Sequence, residues 1–313
     1  MLGRYMEAEL REQAVVLPQQ APRYDQELAT LLRGKSYDLV VIAARGSSDH
    51  AALFARYLIE IHLGIPVSLA APSVITQFGG HLRYPGRVLG LGISQSGAAP
   101  DVAEVLAKMR EAGQDTLAVT NTEGSRMTEV AEMSLTLGVG AEQSIAATKT
   151  FTASLLAMLS LVRALGADVP SFEPDSSWIE TAMTFADEHA EPLLKRAPLV
   201  VLGRGYAYPV ALETALKLME CALIPAKAYS SADFEHGPRA LAGPDAALLV
   251  VNRLSAPVGL PALRLDWPEF GVTPEIAAIP QSIVGQAMAL KLARLRGHDP
   301  DEAPRLMKVT KTT

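Results

Sequence analysis

Two tandem doubly wound α/β subdomains, related by internal duplication, are the fold that this sequence predicts. Three observations carry that expectation. Short β-branched or apolar runs alternate with segments of helical period, which is the pattern of a parallel sheet with helices on both faces. Turns rich in glycine or serine follow the apolar runs directly. Near residue 197 the same unit of strand, glycine turn and helix begins again.

The first 35 residues read as an N-terminal helical segment. A strand over 37–44 then ends in Arg45-Gly46-Ser47-Ser48, after which Ala51, Leu53, Phe54, Tyr57, Leu58 and Ile61 recur at helical spacing. The unit returns as a strand over 88–93, the turn Ser94-Gln95-Ser96-Gly97, a helix through Val105 and Met109, and a strand over 116–120. An apolar helix near 148–165 closes a first subdomain over 36–170, and a helix near 177–194 forms a connector over 171–195. The second subdomain, 196–300, opens with a strand over 198–202, the turn Gly203-Arg204-Gly205, and a helix marked by Ala211, Leu212, Ala215, Leu218, Met219 and Leu223. Its strands at 246–252 and 262–265 almost abut, although a parallel crossover needs about a dozen residues or more. This half is therefore shortened near 253–260, by natural trimming or by a segment missing from the sequence. A tail over 301–313 follows.

The 313 residues, 49% of them hydrophobic and 20% charged, are enough for a large core in one or two domains. A net charge of −6 with interspersed signs supplies no field for nucleic acid or acidic membranes, so any phosphate site has to be local. The single cysteine, Cys221, excludes an internal disulfide and fits a reducing compartment. No signal-peptide pattern opens the chain, and no uninterrupted apolar run approaches the roughly 20 residues of a membrane span. The expectation is a cytoplasmic protein.

Candidate chemistry lies in three places. Ser47 and Ser48, and Ser94, Gln95 and Ser96, occupy turns that open helices. There unpaired N–H groups and the positive end of the helix dipole favour an anion. One such turn is ordinary helix capping. Two at neighbouring strand ends predict a phosphate cradle without lysine. The second place is Lys217-Leu218-Met219-Glu220 with Phe234-Glu235-His236-Gly237-Pro238-Arg239. Glu220 borders an apolar stripe where desolvation raises a carboxyl towards the range of a general base; the competing reading pairs it with Lys217 three residues back. His236 falls on a loop, where a lone histidine carries little weight by itself. The third place is Arg305 to Lys311, which spacing alone reads as a polar terminus. The histidines and the cysteine form no metal-ligand spacing, so neither a metal nor another cofactor is implied.

These residues resemble the sugar isomerase (SIS) family, in particular the isomerase half of the glutamine-dependent fructose-6-phosphate amidotransferases and the stand-alone sugar-phosphate deaminases. The resemblance runs through nearly the whole chain. It rests on Arg45-Gly46-Ser47-Ser48, Ser94-Gln95-Ser96-Gly97, EQSIAATKTF at 142–151, LGRGYAYPVALETALKLME at 202–220, Glu235-His236-Gly237-Pro238, and LMKVT at 306–310. It implies that Ser47, Ser48, Ser94, Gln95 and Ser96 hold a sugar phosphate. By the same resemblance Glu220 moves a proton between C1 and C2, His236 opens the ring, Lys308 stands near the reacting end, and Lys217 is a further lysine of the site. Ala99 replaces a family threonine or serine three residues after Ser96, which removes one hydroxyl from the phosphate cradle. The resemblance also implies a homodimer in which His236 completes the neighbouring subunit's site.

About 35 residues precede the first strand, too few for a glutaminase domain, so the expectation is an isolated isomerase that runs towards deamination. The substrate expected is glucosamine 6-phosphate, giving fructose 6-phosphate and ammonia. Alternatives are an ammonia-dependent synthase, a galactosamine-6-phosphate deaminase, a fructosamine-phosphate deglycase, and a non-catalytic sugar-phosphate sensor. Regulators of the sensor type attach a basic helix-turn-helix segment, for which residues 1–33 have neither length nor charge.

Overall fold

The structure, a computed structural model, describes residues 1–252, 259–302 and 304–308. Its elements run α1 (Arg4–Leu31), β1 (Leu39–Ala43), α2 (Ser47–His62), β2 (Val67–Leu69), α3 (Ser73–Thr76), β3 (Val88–Ser94), α4 (Pro100–Glu111), β4 (Asp115–Thr120), α5 (Arg126–Val130), β5 (Met133–Thr136), α6 (Lys149–Ala164), α7 (Ser177–His189), β6 (Leu199–Gly203), α8 (Ala207–Ala222), β7 (Ala226–Ser230), α9 (Ser231–Glu235), β8 (Ala247–Val250), β9 (Leu263–Asp266) and α10 (Pro274–Leu295). The expected fold class is the observed one. Two parallel sheets form, a five-stranded one in the order β2-β1-β3-β4-β5 and a four-stranded one in the order β7-β6-β8-β9. The first order is that of a doubly wound sheet, and the second is the same order without its last strand.

The chain folds into two compact units. The first comprises Val16–Ala141 with Ala153–Glu173 and holds the five-stranded sheet; the second comprises Met1–Val15, Glu142–Thr152 and Pro174–Lys308 and holds the other. In the first unit every residue of β3 is buried, because helices cover both faces of the sheet. Val41, Val88 and Ala118 pack there with Val102, Leu106 and Met109 of α4. In the second unit Val200, Leu202, Leu248 and Val250 pack against Phe234.

Seven of these elements lay outside the sequence reading, among them the helices α3, α5 and α9, which have only four or five residues and so show no helical period. The strands β2, β5 and β7 lie at sheet edges and alternate buried with more exposed residues, so none forms a fully apolar run. The helix α10 is buried on nearly all sides, which erases the one-sided periodicity by which a helix is read. Among the described helices it alone is long and apolar enough to cross a membrane, and it corrects the expectation that nothing approaches such length. It is 83% buried within the protein over that window, as a core helix is. The helix expected near 177–194 ends at His189 and continues as a 3-10 turn, Glu191–Lys195, with Pro192 in its first turn. The strands β8 and β9 do pair in parallel, with Ala247 opposite Leu263. Of the shortened stretch near 253–260, residues 253–258 lie outside the described residues.

Within the second unit the segment after Glu142 is fastened by two acidic side chains. Glu142, fully buried, accepts the N–H groups of Thr148 and Thr150 at 3.0 Å each and the Thr150 hydroxyl at 2.8 Å. Glu9 on α1, 4% exposed, accepts the N–H groups of Gln143 and Ser144. Burial pushes the Glu9 carboxyl up to about 7, against those two N–H groups and with the charge of Glu142 adding to the rise. In the first unit the turn after β3 depends on Gly97, at φ 61°, where a Cβ would run into Ser125 and Thr120.

Two outcomes follow. A carboxyl raised from 4.5 to about 7 keeps its proton in the folded state, so its contribution to stability is present below pH 4.5 and is lost as pH rises through 7. Glu9→Gln retains an acceptor for both N–H groups, and thermal unfolding is expected to show it near wild type at pH 5 but more stable by about 1–3 kcal/mol at pH 8. Gly97→Ala strains the backbone and displaces Ser125, which is expected to lower the urea midpoint by the equivalent of about 1–3 kcal/mol.

Candidate active site

In the first unit the two hydroxyl-rich turns lie side by side at the carboxyl ends of neighbouring strands, since β1 pairs with β3 up to Ala43 opposite Gly92. Ser47 and Ser48 begin α2, and Gly46 stands at its N-cap with no side-chain cap. Ser94 closes β3 and is buried, while Gln95 and Ser96 are half-buried. The Gln95 carbonyl accepts the N–H of Asn121 at 3.0 Å and the Thr120 hydroxyl at 3.2 Å, which fixes the turn against the end of β4. Arg45 and Asp101 join the turns: Arg45 Nε donates to Asp101 Oδ2 at 2.7 Å, and Asp101 is 3% exposed in the first turn of α4. Sequence reading did not see that link, because 56 positions separate the two residues. Ala99 stands at the N-cap of α4 without a side-chain cap and leans on the apolar cluster beneath.

In the second unit α8 carries three charged residues on one face. Lys217, 1% exposed, donates to Glu220 Oε2 at 2.6 Å and lies 3.0 Å from Glu213 Oε1, itself 3% exposed. The spacing i, i+4 and i+7 brings the three together on a helix. Burial pushes the Lys217 ammonium down, but the carboxylates of Glu213 and Glu220 outweigh it and hold its pKa above the usual range. Glu220, 23% exposed, is thus an ion-paired carboxylate at the rim and not an isolated one against apolar side chains. Its other oxygen, Oε1, has no hydrogen-bond partner among the described residues. Sequence reasoning missed Glu213, although its i, i+4 spacing to Lys217 was a readable signal. Cys221, one residue on, is buried against Met6 with its thiol pushed up to about 12 by burial, so it stays protonated near neutrality.

Lys308 directs its Nζ to Glu142 Oε2 at 2.8 Å and to the Ser144 carbonyl at 2.7 Å. Burial pushes the Glu142 carboxyl up, but Lys308 and the Thr148 and Thr150 N–H groups reverse this and hold it below the usual carboxylate range. Residues 309–313, which include the end of the LMKVT motif, lie outside the described residues. His236 is exposed at the end of α9, followed by Gly237 at φ 140°. Among the described residues no contact joins it to Lys217, Glu220 or Lys308. Nor does any group of three or more His, Cys, Asp or Glu side chains among them lie ready to hold a metal ion.

Residues 36–164 match the SIS domain family. The chain is 30% identical over 337 residues to the isomerizing glutamine–fructose-6-phosphate aminotransferase of Methanothermobacter thermautotrophicus, an alignment that covers 97% of this chain and 57% of that relative. It therefore spans little more than half the length of the protein it matches. Among solved structures, the C-terminal domain of glucosamine-fructose-6-phosphate aminotransferase from Francisella tularensis superposes with a TM-score of 0.78 at 23% identity, covering 94% of this chain and 96% of that one. Glucosamine-6-phosphate deaminase from Thermotoga maritima superposes with a TM-score of 0.75 at 22% identity, covering 95% and 100%. At those identities the structures speak for the fold alone. Residues 36–164 of the chain form an SIS domain.

Proposed function

We propose that this chain is a phosphosugar isomerase that converts glucosamine 6-phosphate to fructose 6-phosphate and ammonia. The observation that carries the reading is the cluster on α8, in which Lys217 holds one oxygen of Glu220 and leaves the other able to take a proton. The names of the relative and of the two solved structures support an amino-sugar phosphate as substrate.

In this reading Ser47, Ser48, Ser94, Gln95 and Ser96 bind the phosphate, which orients the sugar but does no chemistry on it. His236, from the neighbouring subunit of a homodimer, assists opening of the pyranose. The Glu220 carboxylate removes the C2 proton; the electron pair forms the C1–C2 double bond of an enolamine, and the C1 carbonyl oxygen takes a proton. Returning the proton to C1 leaves an imine at C2, and water adds there to expel ammonia. Lys308, held by Glu142, stands near the reacting end of the sugar as a proton donor. Water is consumed and ammonia released one for one.

The purified protein mixed with glucosamine 6-phosphate is expected to release ammonia and fructose 6-phosphate in equal amounts, with galactosamine 6-phosphate run in parallel to read the preference at C4. Release from neither sugar, with measurable sugar-phosphate binding, overturns the deaminase and leaves a deglycase or a sensor. Glu220→Gln keeps an acceptor for Lys217 but loses the base. It is expected to lower kcat by about 10²–10⁴-fold with KM little changed, in a steady-state assay of ammonia release.

A further inference from the structure

The second unit repeats the turn that follows β1. Gly46 and Gly205 sit at φ 56° and 61°. The N–H groups of Ser48 and Asp49 donate to the carbonyls of Arg45 and Gly46 at 3.1 and 3.0 Å, and those of Ala207 and Tyr208 donate to Arg204 and Gly205 at 3.3 and 3.0 Å. Each turn joins the first strand of its sheet to a helix. In each sheet the winding reverses beside that strand, between β1 and β3 in one and between β6 and β8 in the other. The crevice outside the carboxyl ends at such a reversal is where doubly wound sheets take ligands.

The backbone is repeated, but the chemistry is not. Tyr206 stands where the first turn has Ser47, and Ala207 where it has Ser48. Arg45 is tied to Asp101, whereas Arg204 has no ion-pair partner among the described residues. A cavity of about 520 Å³ opens at this point, lined by Arg204, Tyr206, Asn252, Trp267, Glu269 and Phe270. Its size falls within the roughly 300–1,000 Å³ of small-molecule sites. Trp267 is 1% exposed, yet its Nε1–H has no hydrogen-bond acceptor among the described residues. The walls are held in place: Phe270 meets Trp178 edge to face at 6.2 Å, and Asn252 Nδ2 donates to the Arg204 carbonyl at 3.2 Å.

We propose that this cavity is a second ligand site, separate from the sugar-phosphate turns, that takes a planar-ring anion of nucleoside monophosphate size. Replacing the two small hydroxyl side chains by Tyr206 and Ala207 removes a phosphate cradle, and Tyr206 with Trp267 and Phe270 supplies faces for a flat ring. Arg204 pairs with the anionic group in the two-pronged geometry that phosphate and carboxylate favour. Glu269 on the rim accepts from the hydroxyl or amino groups of such a compound.

The chain has two tryptophans, and both report on the cavity, Trp267 as a wall and Trp178 through Phe270. Their fluorescence is to be followed while the intact protein is titrated with adenosine monophosphate, with uridine monophosphate and, as a ring carboxylate, with benzoate. The expected result is a saturable change with a Kd below about 1 mM for at least one probe, weakened about tenfold or more in Arg204→Ser and in Tyr206→Ser. Saturating fructose 6-phosphate is expected to leave it unchanged. The two nucleotides against benzoate show whether phosphate or carboxylate is the preferred anion. Arg204 is exposed, so its variant tests the site without disturbing the core. No saturable change with any probe, a change indifferent to both substitutions, or displacement by fructose 6-phosphate overturns the proposal.

Discussion

A buried ammonium governs the second unit. Removing the charge of Lys217 from water has a penalty of several kcal/mol, which only close carboxylates offset. Glu213 and Glu220 provide them from one turn before and one turn after on the same helix. That requirement determines how α8 lies, because a face holding three charges has to be sealed on the Glu213 side and open on the Glu220 side. The orientation of Glu220 is thus a consequence of stability before it is a matter of chemistry. Removing either partner of a buried pair leaves the other uncompensated, which is why Glu220→Gln keeps an acceptor for Lys217.

A similar economy appears at Glu142. Its carboxylate closes the loop over 142–150 through threonine N–H and hydroxyl groups and also receives Lys308 from the far end of the chain. One buried charge therefore positions a local turn and a residue 166 positions away. Burial, with a smaller part from the charge of Glu142, raises the carboxyl of Glu9 to about 7.

The two turns after β1 and β6 show how one backbone serves different ends. Positive φ at the glycine and the same pair of turn hydrogen bonds recur, so the duplicated backbone has kept its geometry. What changed is the side-chain size at two positions and the presence of an acidic partner for the arginine. A ligand site in such a fold is decided by substitutions on a fixed frame.

The sequence by itself determined the fold class, the duplication, and the strands and helices of the central layers. These rest on periodicity and turn chemistry within ten to twenty residues, which are local properties. The edge strands β2, β5 and β7 and the helix α10 escaped it, the strands because they alternate buried with more exposed residues and the helix because it is apolar nearly all round. Local spacing also held the pairing of Lys217 with Glu220. Only the tertiary structure decided which oxygen of Glu220 is engaged, that Arg45 meets Asp101, that Lys308 meets Glu142, and that Trp267 keeps an unpaired N–H beside a cavity. Each of these joins groups whose partners or orientation depend on packing, and spacing along a chain carries no record of distance across it.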